Sequence, residues 1–393
     1  MKIFKRFFFL VAAIGLIVAP VVAFFDNYAI EAVSIGIGRT SGQQTSASTI
    51  IVDISQASVQ FPSALMFSIK ATSELPITDV RLHFTVERDG FVKVVTEEKC
   101  EVDFVGTDNY FQASYFWNMY YTGGLPPGTK VNYWWTLTDN DWNRHVTDKQ
   151  SVTFEDTRFS WNSKNEGKIT LYWYSGSDIF AQSLLDAALN GLVTLEAHTG
   201  ANLNRPVSVY IYNTQADMLG AMLFAQDWTG GAAYSAYGTI VININSANLE
   251  WGKRTLVHEL AHVVTYQMTS NPYNSVPVWL NEGLSMYAEG ALDAGFQIIL
   301  VAALQNGNLF SVRSMSSPFS TDTNLSYLEY AQSYSLVDYL TSQYGQAKMV
   351  ALLDTFCHGE TYDGALLKTY GFDMDGLYDS WLSFAFQKYG VST

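Results

Sequence analysis

The residues best suited to chemistry lie in one stretch, WGKRTLVHELAHVVTYQMTS at positions 251–270. Positions four apart on a helix share a face, so His258 and His262 can point two imidazoles at one metal ion. Glu259 lies about 100° around the helix from His258, close enough to reach a water on that ion. Burying these groups in so apolar a helix is costly unless a divalent cation pairs them. The pattern predicts a metal site; the alternative is a core helix whose histidines are satisfied by neighbouring groups.

A second stretch, PVWLNEGLSMYAEG at positions 277–290, contains candidates for a third metal ligand. A site with two histidines needs one further protein ligand if a fourth position is to stay open for water. Pro277 is suited to the start of a helix, and Glu282 lies in the first turns of that helix. The turn-rich SNPYNSVP segment lets this helix pack back across the first one. Glu282 is therefore the predicted third ligand, and Glu289, two turns further on, is its rival.

HELAH followed by WLNEGLS resembles the signature of the gluzincin metallopeptidases, and more narrowly that of the bacterial peptidases with a peptidase MA-like domain. The resemblance extends more loosely over residues 165–393. It implies one zinc ion per chain, bound by His258, His262 and Glu282, with Glu259 as the general base. Gluzincin aminopeptidases carry a G-A-M-E-N type stretch before the histidine helix. GGAAYSAYGTIVININ lacks that glutamate, so aminopeptidase action is disfavoured and endopeptidase action is expected.

The resemblance also implies a hydrogen-bond donor for the oxyanion, contributed by the C-terminal half of the domain. By its position in EYAQSYS, Tyr330 is the predicted donor, with Tyr327 and Tyr334 as rivals. In the implied layout, the strand before the histidine helix borders the cleft and can pair with an extended peptide. Residues 240–244 are then the predicted edge of the sheet, and GGAAY at 230–234 is a flexible lip over it.

The same residues bear on the choice of metal and on the groups that orient its ligands. Two histidines and a carboxylate also serve non-haem iron oxygenases, but Glu259 would then have no role, so zinc is preferred. Some relatives use a carboxylate four residues after the ligand glutamate to hold a histidine. Met286 occupies that position here, so the sequence does not identify the groups that orient the imidazoles.

Composition narrows the class of protein. The chain has 393 residues, of which 48% are hydrophobic, so it has room for two folded domains. Its net charge of −15 argues against nucleic acid and anionic membranes as partners, and a peptide or protein substrate is expected. The two cysteines, Cys100 and Cys357, fall in different predicted domains, and a disulfide between them is left open. The sequence gives no signal for the oligomeric state.

The N-terminus predicts export. Lys2, Lys5 and Arg6 precede an uncharged run from Phe7 to Phe25 that is long enough to span a bilayer. Residues 1–26 are therefore a cleaved signal peptide or a retained single-pass signal anchor. In both cases the rest of the chain lies on the extracellular side of the cell envelope, membrane-anchored or secreted.

The remaining chain is predicted to be multidomain. Residues 27–48 are small and polar and predict a flexible tether. Short alternating runs separated by turns predict an all-β sandwich over 49–160, similar to immunoglobulin or fibronectin-III domains around LPPGTKVNYWWTLTD. The resemblance assigns 165–393 to an α+β gluzincin-type catalytic domain with a helical C-terminal half.

These residues are compatible with three functions. The first is an exported zinc metallopeptidase that hydrolyses peptide bonds. The second is a non-catalytic envelope binding or adhesion protein built on a degenerate peptidase scaffold. The third is a hydrolase for another amide or ester. Because His258, Glu259, His262 and Glu282 are all present, the first is preferred.

Overall fold

The computed structural model describes residues 49–105, 109–225 and 229–391. The predicted export segment at 1–26 and the predicted tether at 27–48 lie outside these ranges. Within them, no helix combines the length and the apolar character that crossing a membrane requires.

The N-terminal part of the described chain is built from nine strands: β1 (Ile50–Gln60), β2 (Ala64–Ser73), β3 (Ile77–Val86), β4 (Thr96–Cys100), β5 (Val102–Phe104), β6 (Tyr110–Asn118), β7 (Thr129–Asp139), β8 (Arg144–Val146) and β9 (Gln150–Phe154). One antiparallel sheet has the order β1-β2-β6-β5. In the other, β4, β3 and β7 are neighbours, and β7 also pairs with β8 and β9. The prediction that this region is rich in β-sheet is confirmed.

The two sheets share one apolar core because their strands alternate between inward and outward side chains. Phe67 from the first sheet and Leu82 and Trp135 from the second are fully buried in it. Trp134 points to the opposite face, as the pleat requires, and stacks on His83. The likeness to immunoglobulin or fibronectin-III domains stays a prediction.

A third sheet and a small helix follow: β10 (Asn162–Glu166), β11 (Ile169–Trp173), β12 (Val207–Tyr212), α2 (Gln215–Leu219), β13 (Gly231–Tyr234) and β14 (Thr239–Asn243). The strand order is β10-β11-β12-β14-β13. The three central strands run parallel, and β13 pairs antiparallel with β14.

The edge of this sheet differs from the prediction. Residues 240–244 were expected to form the edge, but β14 has β12 on one side and β13 on the other. The predicted flexible lip at 230–234 is instead largely strand β13, which is the last strand of the described sheet. Glycine and alanine have weak intrinsic strand preference, so pairing with β14 decides the conformation of this segment.

The helices that surround this sheet and continue to the C-terminus are α1 (Asp178–Thr199), α3 (Leu249–Thr269), α4 (Val278–Ala288), α5 (Ala294–Asn306), α6 (Thr323–Tyr344), α7 (Gln346–Cys357), α8 (Tyr362–Tyr370) and α9 (Met374–Tyr389). The prediction of a helical C-terminal half is confirmed. Asp322 caps α6 by accepting hydrogen bonds from the amides of Asn324 and Leu325, as a side chain at the start of a helix should.

Two buried helices hold the elements of the candidate site together. Residues 255–265 of α3 and 326–340 of α6 are buried without interruption. Helix α4 lies between them and can approach α6 closely because position 283 is glycine. A Cβ atom at Gly283 would lie 2.5 Å from the carbonyl oxygen of Ser333. The absence of a side chain there brings the residues of α4 and α6 into one site.

Polar contacts join the strand-rich N-terminal part to the rest of the chain. Asp156 accepts hydrogen bonds from Arg158 at 2.6 Å and from the Tyr212 hydroxyl at 2.9 Å. Asp89 forms an ion pair with Arg205, also at 2.6 Å. The predicted division into domains at 49–160 and 165–393 stays a prediction.

Candidate metal centre

Helices α3 and α4 bring three predicted ligands together. His258 and His262 lie one turn apart on α3 with ring centroids 4.8 Å from each other. The Oε2 atom of Glu282 on α4 lies 3.3 Å from Nε2 of His258 and 3.6 Å from Nε2 of His262. All three side chains are buried, and one potential ligand atom from each lies within 4.8 Å of the others. The donor set is therefore compact enough to close around a single ion.

The histidine nitrogens that face away from this cluster contact Ser285 of α4 and Glu289, the residue that directly follows α4. Nδ1 of His258 lies 2.8 Å from Oε1 of Glu289, and Nδ1 of His262 lies 3.0 Å from Oγ of Ser285. Glu289, the rival third ligand, thus lies on the outer side of His258. It reaches a different nitrogen from the one that Glu282 approaches.

The contact with Ser285 determines which nitrogen of His262 carries the proton. Ser285 Oγ also lies 3.0 Å from the carbonyl oxygen of Asn281, which can only accept a hydrogen bond. The single hydroxyl proton therefore goes to Asn281, and Ser285 accepts from Nδ1–H of His262. Glu289 accepts in the same way from Nδ1–H of His258. Nε2 is consequently the nitrogen of each histidine that faces the ligand cluster, and it can bind a metal once it carries no proton.

An ion pair with Arg254 holds Glu289 in place. Its Oε2 atom lies 3.7 Å from Nε of Arg254, and a second guanidinium nitrogen of Arg254 lies 3.6 Å from Asp293. Arg254 precedes His258 by one turn on α3, so the helix that carries the histidines also carries the cation that holds their outer partner. The imidazole of His258 is therefore held at both nitrogens, by Glu289 at Nδ1 and by Glu282 at Nε2.

Glu259 occupies the interior of the site. Its side chain is fully buried, and neither carboxylate oxygen has a hydrogen bond within the described ranges. A Cβ atom built at Gly231 of β13 would lie 3.4 Å from Oε1 of Glu259, an ordinary van der Waals distance, so the strand passes directly beside the carboxylate. Burial raises the pKa of Glu259 to about 7. A carboxyl with a pKa near neutrality is suited to accept and return a proton.

The pKa values of the two histidines move in opposite directions. Burial lowers the pKa of His258, but its hydrogen bonds to Glu282 and Glu289 outweigh this and raise the pKa to about 10. Burial lowers the pKa of His262, which keeps that ring neutral. Without a metal, the proton on His258 supplies the positive charge that two adjacent carboxylates require.

Tyr330 lies beside this cluster, on α6. It is 5% exposed, with its ring centroid 6.4 Å from that of His258 and 5.1 Å from that of Phe319. Burial, together with the charges of nearby Glu282 and Glu259, raises its pKa well above the usual value, so the hydroxyl stays protonated. The rivals lie further out, where Tyr327 packs on Phe296 and Tyr334 packs on Tyr287.

Sequence reasoning missed the roles of Glu289 and Ser285. Met286, at the position where some relatives carry the orienting carboxylate, is buried against other apolar side chains. A spacing signal was nevertheless present, because Glu282, Ser285 and Glu289 follow one another at intervals of three and four residues. Such positions share one face of a helix, and on α4 that face lies on α3.

Comparisons with known proteins place the chain among peptidases. The family model described as Peptidase MA superfamily matches residues 187–387, slightly more than half of the chain. That range includes every residue of the ligand cluster as well as Tyr330. No curated protein matches the chain significantly.

Several solved structures are similar to parts of the chain at low identity. The M1 zinc metallopeptidase from Deinococcus radiodurans is 11% identical, with a TM-score of 0.36, over 87% of this chain and 95% of that chain. An aminopeptidase N family protein from Idiomarina loihiensis is 9% identical, with a TM-score of 0.26, over 84% of this chain and 69% of that chain. A β-1,3-glucan binding domain of carbohydrate-binding module family 56 is 13% identical, with a TM-score of 0.15, over 25% of this chain and 95% of that domain.

Proposed function

Because the chain belongs to the peptidase MA superfamily, we propose that it is a zinc metallopeptidase that cleaves internal peptide bonds. One observation carries the proposal. Two imidazole nitrogens approach the same oxygen of Glu282, while the carboxylate of Glu259 lies buried beside them without a hydrogen bond in the described chain. Burying four such groups without a cation is costly, and a divalent ion relieves that cost.

The residues present fit a zinc ion. His258, His262 and Glu282 would hold it, and their nitrogen and oxygen donors are those that catalytic zinc uses. Nε2 of His262 is buried without a hydrogen bond in the described part of the chain, as expected of an atom that awaits a ligand. When bound, zinc acts as a Lewis acid that polarises the scissile carbonyl and acidifies water.

Glu259 is the proposed general base. Its carboxylate takes a proton from the attacking water as the new C–O bond forms at the peptide carbon. It then returns that proton to the nitrogen of the departing amine as the C–N bond breaks. Because β13 passes beside this carboxylate at Gly231, a peptide that pairs with the edge of β13 would run close to Glu259.

Tyr330 is the proposed donor to the oxygen that becomes negative during the attack. A protonated hydroxyl in a site from which water is excluded donates a stronger hydrogen bond than the same group in water. Helix α6 crosses α4 closely at Gly283, and its Tyr330 ring lies with its centroid 6.4 Å from that of the ligand His258.

The setting of the reaction is also part of the proposal. We infer that residues 1–26 direct export and that the protein acts outside the cytoplasm, secreted or anchored by that segment, on peptides or proteins. The basic residues and the uncharged run near the N-terminus support this. The strand-rich N-terminal part would serve as an immunoglobulin-like or fibronectin-III-like module that accompanies the catalytic part.

Metal analysis of the purified protein, combined with digestion of a peptide library, tests the proposed activity. We expect about one zinc per chain and cleavage within peptides whose termini are blocked. Glu259→Gln should keep the zinc and lower kcat by about 10²–10⁴-fold, because only the proton acceptor is lost. Zinc-loaded protein that cleaves no peptide but binds a ligand equally well with Glu259→Gln would instead support a binding protein.

Tyr330→Phe tests the proposed oxyanion donor. Loss of one such donor costs about 10²–10³-fold in kcat in a well-studied hydrolase, and we expect a fall of that order with little change in KM. Tyr327→Phe and Tyr334→Phe serve as matched controls on the same helix and should retain most of the activity. Unchanged turnover in Tyr330→Phe would remove this residue from the mechanism.

A further inference from the structure

The loop at residues 87–95, which joins β3 to β4 and is called here the sandwich loop, is unusually apolar for an exposed segment. Phe91, Val92, Val94 and Val95 are 57%, 76%, 59% and 48% exposed, respectively. Isolated exposed apolar residues are common on proteins, but four within five positions form a patch. Patches of this kind mark places where another molecule binds.

The sandwich loop is fixed against the region of the candidate cleft. The backbone amide of Asp89 donates a 2.7 Å hydrogen bond to the carbonyl oxygen of Ala236, and the carboxylate of Asp89 pairs with Arg205 at 2.6 Å. Ala236 lies two residues after the end of β13. The apolar patch therefore begins at one end of the edge strand.

The other end of β13 lies at the candidate catalytic carboxylate, since Gly231 faces Glu259. Ala236 lies five residues after Gly231, and the chain between them is extended over the first three of these residues and forms a 3-10 turn over the last two. This path is about 14 Å long, the length of about four extended residues. A peptide that extends along β13 from the level of Glu259 would reach the sandwich loop after about four residues.

The charge of the loop narrows the choice of ligand. Arg88 and Lys93 are both exposed, and neither has an acidic partner within ion-pair distance among the described residues. The loop also contains Glu87 and Asp89, but these carboxylates pair with Lys130 and Arg205, respectively. Apolar side chains interspersed with unpaired cations are complementary to a segment that carries apolar and acidic residues.

We propose that the sandwich loop is a secondary subsite for the substrate. It binds the segment about four to six residues away from the scissile bond and selects apolar and acidic side chains there. Antiparallel addition to β13, the slightly more stable pairing, places that segment on the N-terminal side of the bond. This inference rests on the proposed peptidase function and adds to it a preference for long substrates.

Two fluorogenic peptides with the same central sequence test the inference. The long peptide carries Leu, Phe and Glu in the segment four to six residues before the cleaved bond, and the short peptide ends before that segment. We expect Phe91→Ser to lower kcat/KM for the long peptide by about fivefold to tenfold, mainly through KM, and to leave the short peptide unchanged. Lys93→Glu should lower kcat/KM for the long peptide in the same selective way.

Phe104→Ser is the matched control, because Phe104 is an exposed phenylalanine on β5 in the other sheet. It should leave cleavage of both peptides unchanged. Equal loss on both peptides with Phe91→Ser, or no loss on either, would overturn the subsite. So would a Phe91→Ser variant that cleaves both normally but no longer sediments with vesicles of phosphatidylcholine and phosphatidylglycerol, since the loop would then bind membranes.

The failures of the two proposals can be told apart. If the zinc-loaded protein cleaves neither peptide, the peptidase proposal fails and the subsite falls with it. If the protein cleaves both peptides but shows no preference for the long one, only the subsite is wrong. Unchanged circular dichroism and Tm in each variant confirm that the exposed substitutions leave the fold intact.

Discussion

The molecule contains two kinds of buried histidine, and they differ in what surrounds them. His83, in the strand-rich part, lies 2.9 Å from Thr136 Oγ1 through Nε2 and 3.5 Å from Glu97 through Nδ1, and its ring stacks on Trp134. Each of its nitrogens has its own partner from a neighbouring strand. In the candidate metal centre, by contrast, two histidine Nε2 atoms approach the same carboxylate oxygen.

The contrast shows that burial by itself does not distinguish a metal ligand from a core histidine. Around His83 each polar contact is separate, and burial lowers the pKa of the ring so that it stays neutral. In the candidate metal centre, Nε2 of His258 and Nε2 of His262 converge on one oxygen of Glu282. The pKa of His258 rises to about 10 because Glu282 and Glu289 contact its two ring nitrogens. The feature that predicts metal binding is therefore the convergence of several potential ligand atoms on one point.

The largest effect is expected from removing a histidine of the candidate metal centre, whereas removing His83 should have no effect on zinc or turnover. His262→Asn removes one of three ligands, so we expect loss of bound zinc and a fall in turnover of at least about 10³-fold. His83→Asn removes a histidine of similar burial and should leave zinc content and turnover unchanged. Atomic absorption and peptide hydrolysis measure both. Zinc loss in His83→Asn would show that separate contacts do not distinguish a core histidine from a metal ligand.

A smaller effect is expected from replacing the carboxylates that contact Nδ1 of a histidine, Glu289 in the candidate metal centre and Glu97 beside His83. Glu289→Ala should weaken zinc binding by about 10–100-fold, because His258 loses the acceptor that holds its orientation. Glu289→Gln, which keeps an acceptor oxygen, should recover part of that loss. Glu97→Ala removes the corresponding contact of His83 and should have no effect on zinc. Competition with a fluorescent chelator gives the affinities, and equal affinity in all three variants would exclude this role for Glu289.

The smallest effect is a difference in pH dependence. In the metal-free protein the pKa values of His258 and Glu259 are raised above their ordinary values, to about 10 and about 7. Their contribution to stability is therefore complete at low pH and is lost as pH rises through these values. The pKa of His83 is lowered, so stability that depends on it falls as pH drops below about 6.5.

Urea unfolding of the metal-free protein between about pH 5 and about pH 10 measures these slopes. We expect the free energy of unfolding to fall toward high pH in the metal-free protein and to fall less in the zinc-loaded protein, in which the ion replaces the proton on His258. His83→Gln should abolish only the decrease in the free energy of unfolding at acidic pH. Identical slopes with and without zinc would contradict this assignment.

The local patterns of the chain were sufficient to predict the main elements of the site. The helix predicted over 251–270 forms as α3, and Glu282 lies on α4 as its spacing from Pro277 indicated. Helical periodicity within one segment is a local property, and a run of buried residues such as 255–265 makes it strong. The same reasoning predicted a strand-rich region followed by helices.

Contacts between distant segments could not be predicted from these local patterns. Whether Glu289 or Ser285 touches a histidine depends on how α4 is rotated and positioned over α3, which no short pattern specifies. Strand β13 was missed because Gly231–Tyr234 has little intrinsic strand character and acquires it by pairing with β14. The sandwich loop was missed because its position at the end of β13 depends on a contact between residues far apart in sequence.

Gly283 has a consequence for anyone who wishes to re-engineer the specificity of this protein. Any larger amino acid there would push α6 away from α4, with a typical overpacking cost of about 1–3 kcal/mol. Directed-evolution libraries should therefore leave codon 283 unchanged. Diversity is better introduced at codons 91–95, whose side chains are all exposed to solvent.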